Sequence, residues 1–126
     1  VLFRCGYHWI EIVRRRFGCP VVFFKGALTT QPTQKISTIY SSMNGENHWA
    51  KELAVAQMRN KEYLLDNVDI RHSAECYGDV GAATGPMLIA LSALNLWNKK
   101  NVETHLVYSS SDGAKRGALV IENVSV

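Results

Sequence analysis

The sequence predicts an α/β fold, a mixed sheet with helices packed on it, in the order βαβαββ from residue 36 onward. Three observations carry that expectation. Residues 103–109 and 117–124 contain LVY and ALVI, uninterrupted apolar runs of the kind found in strands covered on both faces. Between residues 46 and 97 lie two stretches long enough for helices, each preceded by a shorter extended-type segment. Glycine, proline and asparagine stand at the junctions, where a chain changes direction.

The first 35 residues form a segment of their own, and we place a soft boundary at its end. Trp9, Ile10, Val13 and Phe17 would share one face of a short helix with Arg14, Arg15 and Arg16 turned outward, closed by residues 18–20. Residues 21–24 (VVFF) then read as a strand between Pro20 and Gly26, followed by a polar loop around Pro32.

Residues 36–126 form the second unit. A strand is expected at 36–40, a turn at 41–45 and a helix over about 46–63, with Asn44 as N-cap and Glu46 at its positive end. On that helix Trp49, Leu53, Ala56 and Met58 make an imperfect apolar face. A short extended segment at 68–71 leads into the turn GDVGAATG, whose small residues would let backbone pack closely on backbone. Pro86 suits a first helical turn. Beyond it Met87, Leu88, Leu91, Leu94 and Leu96 predict a buried helix, interrupted by Ser92 and Asn95. The last two strands are expected to form an antiparallel pair joined by SDGAKR.

Composition narrows the function classes. The 126 residues suffice for one domain, and 47% hydrophobic content is that of a globular chain. The net charge of +3 is modest and concentrated early, at Arg4, Arg14, Arg15, Arg16 and Lys25, so no nucleic-acid-binding face is read. No apolar run approaches the roughly 20 residues of a membrane helix. No secretory signal is in order either, and a cytoplasmic setting is expected. Three cysteines, Cys5, Cys19 and Cys76, are an odd number without regular spacing, which indicates neither a disulfide framework nor a zinc site. The chain starts at Val1, and an upstream continuation of the reading frame is expected.

The turn GDVGAATG, the apolar helix after it and the closing SSDGAKRGALVIENV together resemble the C-terminal part of a β-ketoacyl synthase of the thiolase-like condensing superfamily. That family writes GHxxGAAG at the first place and FGFGGTNAxLVLE at the second. ISTIYSSMNGE upstream resembles the strand and turn that carry the family's first histidine, usually HGTGT. The similarity spans about residues 36–124 and is nearest a divergent bacterial group.

The resemblance implies condensation of acyl thioesters by a cysteine nucleophile and two histidines, in fatty acid or polyketide biosynthesis, with no cofactor or metal. It also implies an acyl carrier protein with its phosphopantetheine as partner, and either a homo-oligomer or a missing N-terminal half. The family's cysteine belongs to that other half. Cys76, just before the glycine turn, is the one cysteine near the implied site, and otherwise a small buried hydrophobe. Gly78 or Asp79 stands where the second histidine would be, and Ser42, Met43 and Asn44 where the first would be. Asn44 could donate from its amide, but helix capping accounts for it. Gly113 keeps one glycine of GGTN, and Lys115 and Arg116 could meet a phosphate, or simply line a solvated hairpin loop.

The remaining histidines point to structure. His48 and Glu52 are one helical turn apart without a second ligand pair. His72 and Cys76 would be a thiolate couple only if the turn between them allowed it. His105 reads as a structural strand residue, and His8 lies in the first segment. Two functions follow: a fragment of a condensing acyltransferase, inactive by itself, or a catalytically silent thiolase-like module that binds a partner or an acyl chain.

Overall fold

The structure, a computed structural model, describes residues 2–6, 34–44, 47–110 and 116–124. Within them the chain forms strands β1 (Leu2–Gly6), β2 (Ile36–Ser41), β3 (Leu64–His72), β4 (Thr104–Ser110) and β5 (Arg116–Val124). Helix α1 (Asn47–Arg59) joins β2 to β3; the short α2 (Ser73–Tyr77) and the longer α3 (Thr84–Trp97) join β3 to β4. One mixed sheet results, in the order β1-β5-β4-β2-β3. β4, β2 and β3 are parallel, while β5 is antiparallel to β4 and β1 to β5.

From residue 36 the order is βαβααββ, the expected βαβαββ with the short α2 added before α3, and the final pair is antiparallel in the register Thr104↔Glu122 to Ser110↔Arg116. The expected α/β class and mixed sheet are therefore present. The expected helix and strand at residues 9–24 lie outside the described residues.

Alternation along the strands sends side chains to two faces. On one face Ile36, Ile39, Leu64, Leu106, Tyr108 and Val120 pack with Leu53 and Ala56 of α1. On the other, Tyr40, Val107 and Ile121 pack under Leu88 and Leu96 of α3. Ile36 and Ile39 are three residues apart yet share a face, which strict alternation forbids. The pairing of β2 slips between Ile36 and Thr38 on both its neighbours, and the extra residue restores the register.

Several boundaries and faces differ from expectation. α1 ends at Arg59 because Asn60 turns back, its Nδ2 donating to Ala56 O at 2.8 Å; residues 61–63 then make a tight turn. Met58, expected on the apolar face, is 77% exposed, and among the described side chains of α1 the buried apolar ones are Leu53 and Ala56; Trp49 lies outside them. The extended segment after it is a nine-residue strand; its burial alternates poorly because β3 is an edge strand.

On α3, Leu88, Ser92 and Leu96 are buried, at i, i+4 and i+8. Leu94, expected in the core, is 62% exposed. Leu91 is half-buried against Leu88's cluster. The helix thus has one apolar stripe on the sheet and a second one turned outward.

The glycine turn is explained by backbone angles and not by close packing. A Cβ added at Gly78, Gly81 or Gly85 meets nothing within 4 Å. Gly78 and Gly81 instead have φ of 69° and 58°, a region other residues enter at a cost. Gly78 ends α2, its amide donating to Ala74 O.

Asn123 on β5 fastens the loop between α3 and β4. Its Oδ1 accepts from Glu103 N at 2.6 Å, and its Nδ2 donates to Asn101 O at 3.0 Å and Leu96 O at 3.4 Å. Asn123→Ala strands the Glu103 amide and the Asn101 carbonyl, while Leu96 O keeps its bond from Lys99 N, and is expected to cost roughly 1–3 kcal/mol. Urea midpoints check this; a change below about 0.5 kcal/mol, the range of an ordinary surface substitution, would mean that water replaces the side chain.

Candidate functional site

The three parallel strands end on one edge of the sheet, and the chain reverses direction there. From β2 it passes through α1 to β3 on one side, then through α3 to β4 on the other side of β2. The carboxyl ends of β2 and β4 therefore flank a topological switch point, where open α/β sheets place ligands. Here the strand ends are tied together: Ser42 N donates to Tyr108 O at 3.0 Å, and Ser110 N donates to Ser42 Oγ at 2.9 Å. Ser41 Oγ accepts from Met43 N at 3.3 Å.

Of the candidate residues read from the sequence, Asn44 follows the carboxyl end of β2, and Cys76 and Asp79 follow that of β3. Asn44 is exposed, three positions before the first helical residue; residues 45 and 46 lie outside the described residues, and so does any capping contact made there. Cys76 is exposed on α2, not buried. Asp79 is exposed, and its Oδ1 accepts from Gly81 N at 2.9 Å, the local bond of an aspartate shaping a turn. Gly113 and Lys115 lie outside the described residues; Arg116 opens β5 opposite Ser110. Of the pair His72 and Cys76, His72 is half-buried with Nδ1 lacking a hydrogen-bond partner, and Cys76 is solvent-facing. Among the described residues, no three of His, Cys, Asp or Glu stand close enough to hold a metal ion.

A polar cluster that the sequence reading missed lies beneath α3. Ser92 Oγ is 3.1 Å from His105 Nδ1, and His105 Nε2 is 3.7 Å from Glu103 Oε2. Lys99 Nζ in turn lies 3.3 Å from Glu103 Oε1. The nearby carboxylate favours the imidazole proton on Nε2, which leaves Nδ1 to accept from the Ser92 hydroxyl. At 3.7 Å the Glu103 contact is electrostatic and not a hydrogen bond.

Serine, histidine and glutamate in a row have the composition of a nucleophilic triad. Here Ser92 and His105 are both 0% exposed, so no substrate carbonyl reaches the hydroxyl. The cluster instead binds α3 to β4. Burial holds the His105 imidazole below its ordinary pKa; Glu103 pulls the other way, and the cationic Arg71 and Lys99 add to the lowering.

Tyr40 completes the surroundings. Its ring lies 5.5 Å from that of His105, tilted by 46°, and the Arg71 guanidinium carbon is 5.9 Å from the Tyr40 ring centroid. Burial pushes the Tyr40 phenol above its ordinary value, with Arg71 acting against it. Arg71 is itself paired to Asp69 at 2.8 Å, a solvent-exposed contact of small energetic weight. The spacing of Leu88, Ser92 and Leu96 was the one sequence signal that could have revealed this cluster, since it places Ser92 on the buried stripe.

No family model, no curated protein and no solved structure matches this chain. Among the described residues, no helix is long and apolar enough to cross a membrane.

Proposed function

We propose that this chain is a thiolase-like half-module, a fragment of a β-ketoacyl-acyl-carrier-protein synthase-like protein, that carries out no acyl chemistry by itself and acts by association. The associations in view are a second copy, a complementary half, or an acyl carrier protein in a cytoplasmic biosynthetic setting. The observation that carries this reading is the state of Asp79. With Gly78 it is one of the two residues at the place where the resemblance calls for a histidine, and it is an exposed carboxylate engaged with the Gly81 amide. A negative charge there would oppose a developing oxyanion where a donor is needed. His105, on β4, is sealed in the core.

The alternative is a condensing enzyme completed by a separate N-terminal half. It draws on the βαβααββ order and on the glycine turn leading directly into α3. In that reading Lys115 and Arg116 would meet the phosphate of a carrier's phosphopantetheine.

The test is to incubate the purified chain with acyl and malonyl thioesters on a carrier protein and to follow intact mass and condensed product. Neither adduct nor product is expected. Acylation that disappears in Cys76→Ser, together with product, would overturn the proposal.

A further inference from the structure

The geometry points to the outward stripe of α3 as a self-association surface whose partner is the same helix of a second copy, packed antiparallel about a twofold axis. The inference rests on the reading of the chain as an association module, and it names the partner and the face.

A helix with apolar residues all round is normally buried on all sides. α3 is such a helix, since none of its 14 residues is charged. Its inner stripe meets the sheet, while Ile89 at 41% and Leu94 at 62% exposure face outward. Ala90, also exposed, and Ala93, half-buried, lie between them.

What singles out a second copy is the symmetry of this set. A twofold axis at the point midway between Leu91 and Ser92 maps position 90 onto 93 and position 89 onto 94. The two alanines then face each other at the crossing point, where small side chains let helices approach closely. Each Ile89 meets a Leu94 of the second copy on either side. An isologous contact demands this property of one patch, that it be complementary to itself.

Charge agrees with the antiparallel orientation. The amino-terminal approach to α3 carries the exposed Asp79, and its carboxyl-terminal exit the exposed Lys100. Running the helices in opposite directions sets each acidic end beside a basic one, and opposes the two helix dipoles. A parallel pair would bring like ends together.

Sedimentation of the purified chain over a range of concentrations tests this. A reversible dimer is expected. Leu94→Glu and Ile89→Lys are each expected to weaken it at least tenfold while leaving the thermal unfolding of the monomer unchanged, because both positions face solvent there. Mixing the two variants should restore association, since Glu at 94 of one copy then faces Lys at 89 of the other. A monomer at every concentration, a dimer indifferent to both substitutions, or failure of the mixture to recover would overturn the inference. None of these outcomes bears on acyl transfer, so the proposed lack of chemistry stands or falls separately.

Discussion

Leu88→Asp is expected to abolish cooperative unfolding. Leu88 is fully buried between α3 and the sheet, in contact with the cluster of Tyr40, Leu96, Val107 and Ile121. Removing a buried leucine side chain costs about 2–5 kcal/mol before any charge is introduced. A carboxylate in its place must be desolvated without a partner or take up a proton, adding several kcal/mol more. A domain of this size has about 5–15 kcal/mol in total. Leu94→Asp, six residues along the same helix, is expected to shift the monomer by no more than about 0.5 kcal/mol. Circular dichroism melts of the two variants at low concentration make the comparison. If Leu88→Asp melts like the parent, the assignment of the inner stripe is wrong.

Acid is expected to weaken the fold through His105. Its imidazole is held neutral by burial, so its folded pKa lies below the ordinary 6.5. The unfolded chain accepts a proton near that value and the folded chain resists it. The stability linked to this site is therefore complete above about pH 6.5 and declines as the pH falls below it, by up to about 1.4 kcal/mol per pH unit. The decline stops where the folded imidazole itself protonates. His105→Gln removes the titration while retaining an amide that can bond Ser92. Urea midpoints at pH 7.5 and 5.0 should differ less in that variant than in the parent. Equal differences in the two proteins would show that His105 does not titrate in this window.

The parts of the fold that could be read from the sequence were those with local signals. β4 and β5 announced themselves as apolar runs and β2 as a short extended segment before a turn, and the antiparallel pairing of the last two was read with SDGAKR as their connection. α1 and α3 were read as helices, but their faces were not, and the five-residue α2 was not read at all. Ser92 looked like a break in an apolar stripe because a hydroxyl normally marks the wet side. Its partner, His105, lies on a strand beyond the helix, and only the packed fold brings the two together. Leu94 looked like core for the converse reason. In a helix apolar all round, hydropathy has little directional content, and packing decides which stripe is inner.

The glycine turn was read for the wrong property. Small residues suggest close approach, yet here positive φ at Gly78 and Gly81 is what the turn requires, with Asp79 pinning it. The candidate residues Asn44, Cys76 and Asp79 did fall near one edge of the sheet, as motif order alone would place them. β1 escaped notice because LFRCG has no pattern of its own; its signal is its partner.

That partner is β5, with Leu2 opposite Val124 and Gly6 opposite Val120. Nearly the whole described chain thus lies between the two halves of this pairing. Among the described strands β1 comes earliest in order of synthesis, and it can dock on β5 only after β2, β3 and β4 have been made. Closing so long a loop yields its contacts late, and topologies of this kind fold slowly. Until then residues 2–6 offer a row of unsatisfied amides and carbonyls to any neighbouring chain. Among the described strands the earliest made is thus the last to find shelter, which makes the nascent protein more prone to mispairing than the finished one.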